Sequence, residues 1–88
     1  VDLPAELDLL ARARRIVASA PERALQLTAE HARRYQEGVL AQEREVLAID
    51  ALMRLGHRDL AATRARRFIE RYPDSAHRVR LATELEAP

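Results

Sequence analysis

Val46-Leu47-Ala48-Ile49-Asp50-Ala51-Leu52-Met53-Arg54-Leu55-Gly56 is the most apolar run in the chain. Its apolar residues recur at helical spacing on two sides. Leu47, Ala48, Ala51, Leu52 and Leu55 form one stripe, and Val46, Ile49 and Met53 form another. A helix apolar on two faces has to be sandwiched between neighbours. This segment is therefore expected at the centre of an all-α fold, with Gly56 at its end.

On either side of it the rare breakers divide the chain. Asp2-Leu3-Pro4 offers a cap followed by Pro at a first helical position, so a first helix is expected from Pro4 to about Ala18. Ser19-Ala20-Pro21-Glu22 repeats the start signal, and a second helix should reach about Tyr35 and stop at Gln36-Glu37-Gly38. The central helix then begins near Val39 or Leu40. A fourth helix spans about Arg58 to Tyr72 and ends at Pro73, and Asp74 or Ser75 caps a fifth that reaches about Glu86. Ala, Leu, Arg and Glu dominate the composition, and all favour helix.

An offset of 37 residues aligns Tyr35-Gln36-Glu37-Gly38 with Tyr72-Pro73-Asp74-Ser75. The same offset pairs Arg34 with Arg71, Ala24 with Ala61, Ser19 with Gly56 and Leu10 with Leu47. The unit is a helical hairpin used twice, at about 4–38 and 39–75, followed by one more helix at about 75–86. Hairpins of this kind bury their faces only against neighbours, and about three are usually needed. Two and a half repeats predict self-association or docking onto another part of a longer chain. The start at Val1, with no visible signal peptide, fits such a longer parent protein.

The second unit resembles the tetratricopeptide family: Gly56 lies between its two helices, Ala61 is the small residue of the second helix, and Pro73 follows it. Glu45 and Ala65 stand where that family places aromatics, with Phe68 one turn later, and the unit is about three residues longer than that family's. Phe68-Ile69-Glu70-Arg71-Tyr72-Pro73-Asp74-Ser75 looks like repeats of bacterial outer-membrane assembly lipoproteins and Tol-Pal coordination proteins. The resemblance implies a right-handed stack of hairpins and a non-catalytic protein-interaction role. It favours the periplasm or cell envelope over the cytoplasm, with a regulatory parent protein as the other setting. In the tetratricopeptide register Glu6, Leu9, Ala13 and Ile16 of the first helix line an inner groove. Glu43, Val46, Asp50 and Met53 of the third continue it, and His77, Arg80 and Glu84 close the series. Mixed apolar and acidic groups would suit a peptide, with Met53 as an adaptable contact. The apolar members would serve equally well as core.

Composition narrows the function classes. All 15 basic residues are Arg, beside 17 Ala and 13 Leu, with no Lys or Asn, which points to a high-GC genome. Fifteen Arg against 14 acidic residues leave a net charge of +1, too little to steer the whole domain to nucleic acid or an anionic membrane. No apolar run reaches the roughly 18 residues of a membrane span. The chain lacks Cys, so disulfides, thiolate metal sites and cysteine nucleophiles are excluded.

Candidate chemistry is sparse. Leu55-Gly56-His57, with Leu60 and Thr63, is similar to the Leu-Gly-His box of tyrosine recombinases. Arg66 stands where that family's nucleophile belongs, and covalent strand cleavage cannot proceed without one. No two of His31, His57 and His77 share the i, i+4 spacing of a helical metal pair, so no metal or other cofactor is expected and each His reads as solvated or half-buried. Glu43 and Glu45, and likewise Glu84 and Glu86, are two apart and point to different sides of a helix. Asp8–Arg12, Glu30–Arg34 and Asp50–Arg54 have the spacing of helix-supporting ion pairs. Arg64, Arg67 and Arg71 lie at i, i+3, i+7 on the fourth helix, with Arg66 beside them. They form either a solvated face or a site for an anionic ligand. Interaction with a protein partner is the leading expectation. Homodimerisation and binding of nucleic acid or an acidic ligand are the alternatives.

Overall fold

The computed structural model describes residues 3–36, 38 and 40–86. It is all-helical: α1 (Leu3–Ile16), α2 (Pro21–Arg34), α3 (Ala41–Arg54), α4 (Arg58–Arg71) and α5 (Arg78–Glu86), with no strand among the described residues. Asp2 as a cap, Glu37 in the turn and Val39 as a helix start lie outside the described residues. Each helix packs against its successor, as short connections between helices require, and α1 also touches α3.

Local chemistry sets the boundaries. Both Ser19 and Ala20 donate their backbone N–H to the Ile16 carbonyl, which closes α1 earlier than its composition suggests. Ala20 is the N-cap of α2 without a side-chain bond, and Pro21, which has no N–H to satisfy, follows it. Gly56 has φ +80° and ends α3. Its N–H bonds to the Met53 carbonyl and that of His57 to the Leu52 carbonyl, a closure that needs a left-handed residue. The fifth helix starts later than Asp74 or Ser75. There the Ser75 hydroxyl accepts the His77 N–H at 3.1 Å, and this turn occupies the residues expected to open the helix.

The core has two parts. Leu9, Leu10, Ala13, Val17, Ala24, Leu27, Leu47 and Ala51 join α1, α2 and α3. Ile49, Leu52, Ala61, Ala65, Phe68 and Leu81 join α3, α4 and α5. Helix α3 supplies both. Leu47 and Ala51 face the first part, while Ile49 and Leu52 face the second with Val46 and Met53 at its edge.

The 37-residue offset is visible in side-chain geometry as well. Tyr35 and Tyr72 are C-caps of α2 and α4, with φ −135° and −127°, and each donates its backbone N–H to the residue four before it. Arg34 lies over the Tyr35 ring at 5.3 Å and Arg71 over the Tyr72 ring at 5.8 Å. The ring that packs on each tyrosine is His31 in the first hairpin and Phe68 in the second, with centroids 5.3 and 5.0 Å away.

Candidate functional site

The expected inner groove does not run along α1. Leu9 is 4% exposed and Ala13 is fully buried, so both are core, and Ile16 packs against the same cluster. An end helix with one apolar stripe must turn that stripe onto α2 and α3, which leaves none of it to line a groove. Glu6 is buried too. On α3, Val46 and Met53 pack against the second core, Glu43 is half-buried, and Asp50 pairs with Arg54 at 3.0 Å. Met53 does border a small depression of about 240 Å³ between α3, α4 and α5, with Glu84 on its rim. Half-buried His77 sits edge-on to Phe68 at 6.3 Å, and Arg80 pairs with Glu84 at 3.4 Å. The i, i+4 pairs Glu30–Arg34 (3.2 Å) and Asp50–Arg54 support their helices by about 0.2–0.5 kcal/mol each.

The arginines of α4 fare differently. Arg64, Arg67 and Arg71 line one open groove of about 720 Å³, and Arg44 of α3 joins them. Leu60 is the exposed apolar residue of the lining and Tyr72 is half-buried, with the core residues Leu52 and Phe68 beneath them. Arg66 points instead to the depression beside Met53. Arg67 has no ion-pair partner among the described residues and is exposed to solvent.

Glu45 organises the wall of this groove. Arg64 donates from Nε to Glu45 Oε1 at 2.8 Å and from Nη2 to Oε2 at 3.2 Å, a two-pronged bond matched to the carboxylate plane. Arg44 donates from Nε to Glu45 Oε2 at 3.0 Å. Burial acts to raise the Glu45 carboxyl, but the hydrogen bonds and charges of Arg64 and Arg44 outweigh it and hold the group below its ordinary value. One carboxylate shared by two guanidinium groups leaves positive charge to spare.

Behind the wall lies a buried polar pair. His31, expected to be solvated or half-buried, has no exposed surface. Its Nε2 is 3.1 Å from Glu6 Oε1, and the Leu40 backbone N–H donates to the same oxygen at 3.4 Å. Glu6 Oε2 is buried without a hydrogen-bond partner. A Cβ on Gly38 would overlap the Glu6 carboxylate, so a larger residue there would have to displace that side chain from its bond to His31. Arg44 Nη1 stands 3.5 Å from His31 Nδ1. Burial is the strongest influence on the imidazole and holds it below its ordinary value of 6.5; the Glu6 bond works upward and the Arg44 charge downward.

Both shifted groups act in the same direction on stability. The folded-state pKa of each lies below its unfolded value, so acid protonates the unfolded chain first. Unfolding free energy is expected to decline as pH falls through 6.5 because of His31, and again below 4.5 because of Glu45. Urea unfolding midpoints measured across pH check this. His31→Gln should flatten the upper step alone, and a midpoint that rises between neutrality and mild acid would contradict the assignment.

Sequence reasoning missed Arg44, Glu45 and the Glu6–His31 pair. Glu45 and Arg64 are 19 residues apart and Glu6 and His31 are 25 apart, so no local spacing rule links them. No group of three His, Cys, Asp or Glu able to hold a metal occurs among the described residues, and no described helix is long and apolar enough to cross a membrane. The chain has no match among protein-family models, curated proteins or solved structures.

Proposed function

We propose that this chain is a non-catalytic protein-interaction module that takes an acidic, partly apolar protein segment along α4. The observation that carries it is the groove itself: Arg44, Arg64, Arg67 and Arg71 beside exposed Leu60 and half-buried Tyr72, over the core residues Leu52 and Phe68. Guanidinium groups fork onto carboxylates while the apolar strip accepts aliphatic side chains between them. The two hairpins and final helix are proposed to stack in the tetratricopeptide manner, a reading supported by the repeated Arg–Tyr capping of α2 and α4. A bacterial envelope protein is the proposed setting, on the likeness of Phe68–Ser75 alone, with a regulatory protein as the alternative.

Nucleic acid fits less well. Tyr72 is half-buried, with Phe68 against it and Arg71 over its ring. The other aromatic of the lining, Phe68, is buried, so the groove has no run of exposed rings on which bases could stack. Homodimerisation is the second reading, resting on Leu7 of α1 and Val79 of α5, which are 49% and 74% exposed on the two end helices. Light scattering over a concentration series decides that point.

The test of the groove is fluorescence anisotropy with a labelled helical peptide carrying Glu on one side and Leu beside it. Its affinity should fall with salt and drop by about tenfold or more in Arg67→Glu/Arg71→Glu. A peptide with Lys in place of Glu should not bind. Equal affinity for both peptides, or indifference to the double substitution, would reject the groove.

A further inference from the structure

Packing alone does not explain His31. The equivalent slot of the second hairpin is filled by Phe68, against an equivalent tyrosine, so an apolar ring satisfies the space. The first hairpin instead places an imidazole there and aims a glutamate at it from α1.

The titratable and charged groups around the ring are few. Glu6 faces it from α1 and Arg44 from α3, and Tyr35 with Arg34 lies at the end of its own helix. A guanidinium can only donate, so Nδ1 is the acceptor toward Arg44 and the ring proton sits on Nε2, donated to Glu6. Arg44 continues to Glu45, and Glu45 to Arg64. An unbroken series of polar contacts thus runs from a buried carboxylate on α1 to the groove wall on α4. Side-chain exposure rises along it, from 0% at His31 to 11% at Arg44, 19% at Glu45 and 34% at Arg64.

We propose that His31 is a proton-operated control on the arginine groove: a proton taken up at Nδ1 releases Arg44 from the ring toward the carboxylates of a bound acidic segment. With Nδ1 protonated, two donors and two positive charges face each other across the present 3.5 Å contact, and the hydrogen bond is lost. Glu6 keeps the protonated ring in place as an ion pair through Nε2. Arg44 has somewhere to go, because its Nε is already bonded to Glu45 at the groove. Ligand binding and proton uptake then favour each other, since coupling between two sites is reciprocal. The inference rests on the acidic-segment reading for its ligand but not for the movement of Arg44.

Two readouts separate these. In ligand-free protein, nuclear magnetic resonance should show the Arg44 Nε–H signal shifting in step with the His31 imidazole as pH is lowered from about 7.5, a unit above the usual histidine value. In His31→Gln the same signal should stay in place. Arg44→Met keeps the stem, removes the charge, and should raise the pH at which His31 titrates. An Arg44 signal that ignores His31, or unfolding before His31 protonates, would overturn the proposal. With the labelled Glu/Leu peptide, affinity should rise roughly two- to fivefold across the titration in the wild type and not in His31→Gln. Failure of the peptide to bind at any pH would reject the acidic-segment reading, with the Arg44 signal still deciding on the relay.

Discussion

Phe68→Ala is expected to lower the unfolding free energy by about 3–5 kcal/mol, the range for emptying a large aromatic site in a core. Phe68 is 2% exposed and packs with Ile49, Leu52, Ala61, Ala65 and Leu81, contributed by three helices. Tyr72 leans on its ring at 5.0 Å and His77 meets it at 6.3 Å. The buried neighbours on α4, Ala61 and Ala65, are too short to fill the void by changing rotamer. Small domains of this length hold only about 4–13 kcal/mol in total, at roughly 0.05–0.15 kcal/mol per residue. The substitution should therefore leave a protein close to its unfolding threshold at 37 °C. Urea denaturation followed by far-ultraviolet circular dichroism measures the loss. A cost below about 1 kcal/mol would mean that α5 collapses onto α4, and that the second core is less tightly determined than its burial indicates.

Glu6→Ala is expected to cost about 2–4 kcal/mol, through a different mechanism. It leaves the buried His31 Nε2–H and the part-buried Leu40 N–H without their acceptor, and it opens a void beside Gly38. Glu6→Gln should be far milder, because the amide oxygen can accept both bonds while the amide nitrogen replaces an oxygen that has no partner. The contrast between the two variants separates hydrogen bonding from charge. A double-mutant cycle with His31→Gln would give the coupling energy directly, and a value near zero would show that the two side chains are merely adjacent.

The number and order of helices were legible because Pro21, Gly56 and Pro73 have unambiguous backbone effects. The two-sided burial of α3 was legible for a similar reason, since only burial on both sides tolerates Val46, Ile49 and Met53 opposite Leu47 and Ala51. Leu52, read with the Leu47 stripe, packs instead in the second core. What periodicity could not supply is which way an end helix turns. Leu9 and Ile16 have the spacing of a groove as much as of a core, and the choice depends on what α2 and α3 already cover. Glu6 and Glu45 illustrate the other limit. Each is a glutamate on an amphipathic helix, ordinary by position, and its partner lies on another helix. Arg64 occupies the position, 37 residues on, that buries Leu27 in the first hairpin. In the second, Glu45 holds it at the edge of the groove.

The paired tyrosines carry an unplanned benefit. The chain has two Tyr and no Trp, and Tyr35 rests on the first core while Tyr72 rests on the second. With one or the other changed to Phe, the intrinsic fluorescence of the remaining ring becomes a native reporter for a single hairpin, with no dye attached. Superimposable melting traces from the two single-tyrosine proteins would mean that α3 fuses both halves into one thermodynamic unit. Separate traces would make the domain a two-segment object whose halves can be opened one at a time.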